Sequence, residues 1–232
     1  MRELSLFSGA GGGLLASHLL GWTPVGYVEI DDYCQRVIAA RIEDGILPNA
    51  PIFSDIKAFI DDGYAWSYAG LVEVVTGGFP CQPFSSAARG RNRMDLDLWP
   101  QMRRVVEIVE PEWVFAENVK LAPIEAAERD LRAIGYRTRF ATASAAALGA
   151  PHHRPRYWLV AHANSQSESR CAKHGEVASL CRLPSVDWWE DDPHPLGMDD
   201  GLAYRMDRLR AIGNGQVPAV ARAAWEAMTC PG

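Results

Sequence analysis

Five short segments hold residue types that chemistry needs, each where a strand is expected to end. The first is Leu6-Phe7-Ser8-Gly9-Ala10-Gly11-Gly12-Gly13. Glycines after a strand let backbone N–H groups approach a ligand closely. Glu29, twenty residues beyond Gly9, closes the next expected strand, where a carboxylate can accept hydrogen bonds from ribose hydroxyls. Asp55-Ile56 follows a third apolar stretch, and Asp55 can bind an adenine amino group. A glycine loop alone reads as a turn; joined to Glu29 and Asp55 it favours an adenosine-containing cofactor.

The second segment is Gly77-Gly78-Phe79-Pro80-Cys81-Gln82-Pro83-Phe84-Ser85. A single cysteine is usually a small buried hydrophobe. Cys81 stands between prolines in a loop, which holds its thiol outside regular structure. A thiol with a pKa of about 8.5 needs a neighbouring cation or a helix N-terminus to become a nucleophile. Glu117-Asn118-Val119 puts a carboxyl at a strand end, either as a solvated carboxylate or as a group that protonates a ring nitrogen. Pro151-His152-His153-Arg154-Pro155-Arg156 places arginines at alternate positions entering a strand, hence on one face. Their plainer role is a salt bridge. Arg210-Ala211-Ile212-Gly213-Asn214-Gly215-Gln216-Val217-Pro218 is a turn into the last helix and, alone, reads as a cap.

The elements that must position these residues alternate. Strands are expected at residues 4–7, 25–30, 50–53, 71–76, 113–117, 137–143 and 156–161. Helices are expected at 14–20, 32–41, 99–109, 123–134 and 218–228. The alternation implies an α/β fold with a mostly parallel sheet covered by helices on both faces. In such sheets ligands bind beyond the carboxyl ends of the strands. From about residue 162 Ser, Asn, Asp and Pro dominate and periodicity fades. The expected organisation is therefore 1–161, 162–205 and 206–232, with the last part returning to the first.

The 232 residues suit one large domain with a small appendage. No stretch of about 18 apolar residues exists, and the N-terminus lacks a signal peptide's apolar stretch, so a cytoplasmic protein away from membranes is expected. Five cysteines, an odd number, do not suggest a disulfide framework. Cys171, His174 and Cys181 offer three ligands for zinc without an evident fourth, so no metal is expected. A net charge of −6 argues against nucleic acid until its distribution is considered. The lysines are only Lys57, Lys120 and Lys173, and the arginines cluster, as at Arg89, Arg91 and Arg93. Arginine suits bidentate phosphate and base contacts, although a preference for Arg codons gives the same composition.

In this order, the five segments resemble the C5-cytosine DNA methyltransferase family, over residues 1–161 and again from about 204. The glycine loop is similar to its first motif, Pro80-Cys81-Gln82 to its nucleophile loop and Glu117-Asn118-Val119 to its catalytic acid motif. Arg154-Pro155-Arg156 is similar to its paired arginines and Ile212-Gly213-Asn214 to its last motif. The resemblance implies a Rossmann-like S-adenosylmethionine-dependent methyltransferase fold with a small, irregular target-recognition segment. It implies that Cys81 attacks carbon 6 of a cytosine flipped out of double-stranded DNA. Glu117 would share a proton with ring nitrogen 3. Arg156 would hold the base carbonyl and orient Glu117, while Arg154 supports the loop or a phosphate. Carbon 5 would then take a methyl group from S-adenosylmethionine. The cofactor pocket would use Phe7, Gly9, Gly11, Glu29, Ile30, Asp55, Ile56, Pro80, Leu98 and Asn214. Ser85, Arg89, Arg91 and Arg93 would contact DNA from a closing loop, residues 85–93.

Two departures from the family pattern stand out. His152 replaces the usual Gln before the paired arginines. Residues 162–205 are far fewer than the family's recognition region, which suggests a recognition sequence of about two to four base pairs, or a partner. Trp188 and Trp189 can wedge or stack on DNA, or pack against the large domain. The small, Arg-rich form suits a bacteriophage or prophage orphan enzyme in the cytoplasm of a bacterial cell or phage-infected host. The rival expectations are an RNA cytosine methyltransferase, whose extra Cys-Phe-Thr segment is missing here, and a non-catalytic or partner-dependent DNA-binding relative, which would need neither Cys81 nor Glu117.

Overall fold

Short aliphatic runs form strands buried on both faces, as a helix-covered parallel sheet requires. The computed structural model describes residues 1–80, 97–150, 153–163, 178–179, 213 and 215–229. Eight strands are present among them: β1 (Arg2–Leu6), β2 (Thr23–Val28), β3 (Ile52–Phe53), β4 (Val74–Gly78), β5 (Trp113–Asn118), β6 (Tyr136–Ser144), β7 (Pro155–Ala163) and β8 (Ala178–Ser179). They form one sheet in the order β3-β2-β1-β4-β5-β7-β6-β8. The neighbours from β3 to β5 are all parallel, and β7 runs antiparallel between β5 and β6. Two residues of the expected irregular stretch, β8, add a parallel edge beside β6.

The helices are α1 (Gly12–Leu19), α2 (Asp32–Glu43), α3 (Ile56–Asp61), α4 (Trp99–Val109), α5 (Leu121–Ala133) and α6 (Pro218–Thr229). On one face α3, α4 and α5 bury Phe59, Met102 and Leu131 against Leu4, Leu6 and Leu159 of the sheet. On the other, Trp225 of α6 packs edge-on against Trp22, Trp113 and Phe115, with ring centroids 4.7–5.4 Å apart. Such aromatic contacts add about 0.5–1.5 kcal/mol each beyond the area they bury. Arg139 Nη1 donates to the Met228 carbonyl at 3.1 Å, fixing the far end of the same helix. The α/β architecture with helices on both faces is as expected. No helix among the described residues is long and apolar enough to cross a membrane.

Boundaries differ for local reasons. β4 starts at Val74, not at residue 71, because the Leu71 and Val72 amides still bond to the Tyr68 carbonyl and prolong the preceding turn. β2 stops at Val28, so Glu29 and Ile30 stand beyond it; Asp31 then caps α2 by accepting from the Tyr33 and Cys34 amides. The short helix α3 lacked a periodic signal, yet Asp55 caps it by accepting from the Lys57 amide. The chain leaves β1 toward β2 on one side and returns to β4 on the other. This reversal opens a crevice at the carboxyl ends of β1 and β4, where α/β sheets bind ligands.

Glu3, on β1, is a buried acid away from that crevice. Its Oε1 accepts from Thr76 Oγ1 at 2.5 Å, while Oε2 has no hydrogen-bond partner. Burial raises its pKa from 4.5 to about 7, against the opposing hydrogen bonds from Thr76 and Ser17. The unfolded chain gives up this proton near its ordinary pKa and the folded chain only near 7. Stability therefore falls as pH rises through that window. Glu3→Gln is expected to remove this loss, on the order of 2–3 kcal/mol. Thermal melts at about pH 8 and about pH 5 check it: the gain belongs to the higher pH, and equal gains at both would contradict the assignment.

Candidate active site

The glycine loop leaves β1 through two left-handed glycines, Gly9 at φ 56° and Gly11 at φ 92°. Space around both is open: a Cβ on Gly9 would meet nothing within 4 Å, and one on Gly11 only Leu14 Cδ1 at 3.9 Å. Gly11 ends the loop as the N-cap of α1, without a side-chain cap, so amides of the first turn stay available to an anion. Glu29 is tied to this loop. Its Oε2 accepts from the Gly9 amide at 2.6 Å and its Oε1 from the Asp31 amide at 2.8 Å. The carboxylate thus organises the loop, and each oxygen keeps a second lone pair for a hydroxyl. Ile30, 71% exposed at the end of the same strand, offers an apolar surface beside it. Together these residues suit a cofactor with a ribose, a flat aromatic base and a carboxylate.

Not every residue expected in the pocket offers its side chain. Ile56 is buried in the main core, and Asp55 is partly engaged as a helix cap. Phe7 takes φ 53°, a left-handed backbone rare for a non-glycine residue, and packs against the same core. Pro80 and Leu98 meet through their backbones, where the Leu98 amide donates to the Pro80 carbonyl at 3.3 Å. That bond holds together the two flanks of residues 81–96. Cys81, Ser85, Arg89, Arg91, Arg93, Trp188, Trp189 and Asn214 lie outside the described residues, as do His152 and the zinc candidates Cys171, His174 and Cys181.

Glu117 is the chemical centre of what is described. It ends β5 beside Gly78 of β4 and is 6% exposed. A Cβ on Gly78 would lie 2.8 Å from Glu117 Oε2, so only glycine leaves room for the carboxyl there. Arg156 Nε stands 3.0 Å from Glu117 Oε1, but off the line of a hydrogen bond, and Oε1 has no hydrogen-bond partner. Arg156 therefore supplies charge, and the buried Oε1 is left without a hydrogen bond. Burial raises the Glu117 pKa from 4.5 to about 7. Arg156, a hydrogen bond from Gln216 and Arg154 pull the other way. Near neutral pH the group can both hold and release a proton, as an acid–base catalyst must.

Two further residues frame it. Asn118, also buried, donates from Nδ2 to the Phe79 carbonyl at 2.9 Å and accepts from the Lys120 amide at 3.2 Å. It thereby fixes the exit of β4 just before Pro80-Cys81. Arg154, at φ 31°, donates from Nη2 to the Gly213 carbonyl at 2.8 Å and to the Gly215 carbonyl. A left-handed non-glycine residue costs about 1–3 kcal/mol and persists where its surroundings over-determine it. Here the reward is a clamp on the segment leading into α6. Sequence reasoning assigned no role to Asn118 or Gln216. The Asn lies inside a motif, but the carbonyl it serves is 39 residues away.

Residues 1–180 match the family described as C-5 cytosine-specific DNA methylase. The type II methyltransferase M.CviJI of Paramecium bursaria Chlorella virus IL3A is 26% identical over 231 residues, which cover 97% of this chain and 58% of that protein. The chain spans about half the length, or less, of the curated relatives it matches. In fold it is similar to a Spodoptera frugiperda DNMT2 structure, with a TM-score of 0.58 at 18% identity over 79% of this chain and 55% of that one. S. pombe Dnmt2 gives a TM-score of 0.55 at 22% identity over 73% and 51%.

Asn118→Ala is expected to leave the Phe79 carbonyl buried without its donor and to cost about 1–3 kcal/mol. Urea unfolding measures this directly. A midpoint within error of the parent's would mean that Asn118 does not anchor the β4 exit.

Proposed function

This chain belongs to the C-5 cytosine-specific DNA methylase family, and on that premise we propose that it methylates carbon 5 of cytosine in double-stranded DNA through a Cys81 adduct. The observation that carries this reading is the buried Glu117 carboxyl, held beside Arg156 with one oxygen not hydrogen-bonded and its pKa raised to about 7. A protein that only bound DNA would gain nothing from so costly an acid.

The proposed chemistry follows from the target. Carbon 5 of cytosine is a weak nucleophile. When the Cys81 thiolate adds to carbon 6, electron density moves into the ring and carbon 5 becomes enamine-like. Glu117 protonates ring nitrogen 3 as that density arrives. Arg156 keeps the acid oriented and can hold the base carbonyl. Arg154 acts through the loop it clamps. S-adenosylmethionine, when bound, supplies an electrophilic methyl group, and members of this family use it as donor. Gly9, Gly11 and Glu29, with Ile30 beside them, would hold it. Loss of the carbon-5 proton to solvent water, expulsion of Cys81 as the thiolate and return of the nitrogen-3 proton to Glu117 restore the aromatic ring.

The target must leave the duplex to reach a crevice at the strand ends, at a cost of a few kcal/mol. Ser85, Arg89, Arg91 and Arg93, in the segment between Pro80 and Leu98, supply the polar and basic groups for phosphate contacts. Trp188 and Trp189 are offered for stacking. The short stretch 162–205 fits a recognition sequence of about two to four base pairs.

Base-resolution methylation mapping of plasmid DNA, from cells expressing the chain or Cys81→Ala, tests the proposal. 5-Methylcytosine in one short context, lost in the variant, is the expected result. Soluble protein that binds the donor yet leaves DNA unmodified would contradict it.

A further inference from the structure

Gln216 touches both halves of the crevice. Trp225 and the Arg139 bond seat α6, and Arg154 grips the carbonyls on either side of residue 214, so the residues before Pro218 are laid across the start of α1. There the Gln216 backbone covers Gly12, where an added Cβ would meet its carbonyl oxygen. A Cβ on Gly13 would lie 2.7 Å from Gln216 Oε1. The other end of the same carboxamide reaches β4: a Cβ on Gly78 would lie 3.2 Å from Gln216 Nε2 and 2.8 Å from Glu117 Oε2. The amide and the carboxyl share that space, so the amide N–H is placed to donate to the carboxyl and lower its pKa.

We infer that Gln216 is a positioning residue: one carboxamide holds the Glu117 carboxyl over Gly78 while its oxygen rests on Gly13 in the first turn of α1, so a single side chain sets both the acid and the helix start that follows the glycine loop. The inference rests on the proposed role of Glu117 as the acid. It adds that the proton affinity of Glu117 depends on the seating of a loop it does not touch. A donor hydrogen bond stabilises the charged carboxylate. When the carboxamide is removed or displaced, Glu117 therefore holds its proton to higher pH.

Two variants separate this from a merely structural role. Gln216→Met keeps length and loses the donor. Gly13→Ala leaves Gln216 intact and pushes on the far end of its side chain, at a helical position where alanine is favoured. The readout is the titration of Glu117 by carbon NMR in glutamate-labelled protein, with the signal assigned through Glu117→Gln. Both variants are expected to move the Glu117 midpoint upward, by about one unit for Gln216→Met. Gly13→Ala is expected to shift it in the same direction by less. A Glu117 midpoint at the parent's value in either folded variant overturns the inference. If Gln216→Met does not fold, Gly13→Ala decides alone. The titration needs neither DNA nor turnover, so a shift in a protein that methylates nothing would sustain the positioning role while removing the proposed function.

Discussion

The structure depends on keeping one carboxyl, that of Glu117, out of water. Burial makes its ionised form expensive and brings its pKa up to about 7, with the Arg156 guanidinium preventing it from rising further. Much of the surrounding sequence is intelligible as a response. Gly78 is glycine because the carboxyl occupies the place of its side chain. Asn118 holds the neighbouring strand exit, and the strained Arg154 holds the segment that carries Gln216. Without these supports the acid would be either solvated, and fully ionised at neutral pH, or buried and permanently protonated.

The parallel sheet explains why these groups meet. Parallel strands deliver their carboxyl ends to one edge, so segments dozens of residues apart arrive side by side. The glycine loop follows β1, Glu29 follows β2, Pro80 follows β4 and Glu117 ends β5. The antiparallel β7 then brings Arg156 in from the opposite direction, opposite the end of β5. The final helix closes the arrangement from outside, and its docking is an aromatic matter, Trp225 among Trp22, Trp113 and Phe115.

What could be read in advance was whatever is local. The glycine loop, its spacing to Glu29 and the β-branched runs are patterns within one or two elements, and the fold class follows from their alternation. Glu117 and Arg156 were legible as residue types at strand ends, though their 3.0 Å approach depends on how β5 and β7 pair. Gln216 was not legible. It stands in a turn that looks like a helix cap, and its importance arises only when α6 folds back across α1. Ile56, a pocket residue by family resemblance, places its side chain in the core, a packing that only the tertiary fold reveals.

The central claim is that Cys81 and Glu117 act on one cytosine ring. It is tested most directly with a DNA duplex carrying 5-fluorocytosine. Fluorine in place of the carbon-5 proton blocks the elimination that releases the thiol. Incubation with S-adenosylmethionine should leave a protein–DNA adduct that survives denaturation. Peptide mass analysis should place it on Cys81, and Cys81→Ala should not form it. An adduct on another residue, or none from folded protein that binds both donor and duplex, would contradict the account.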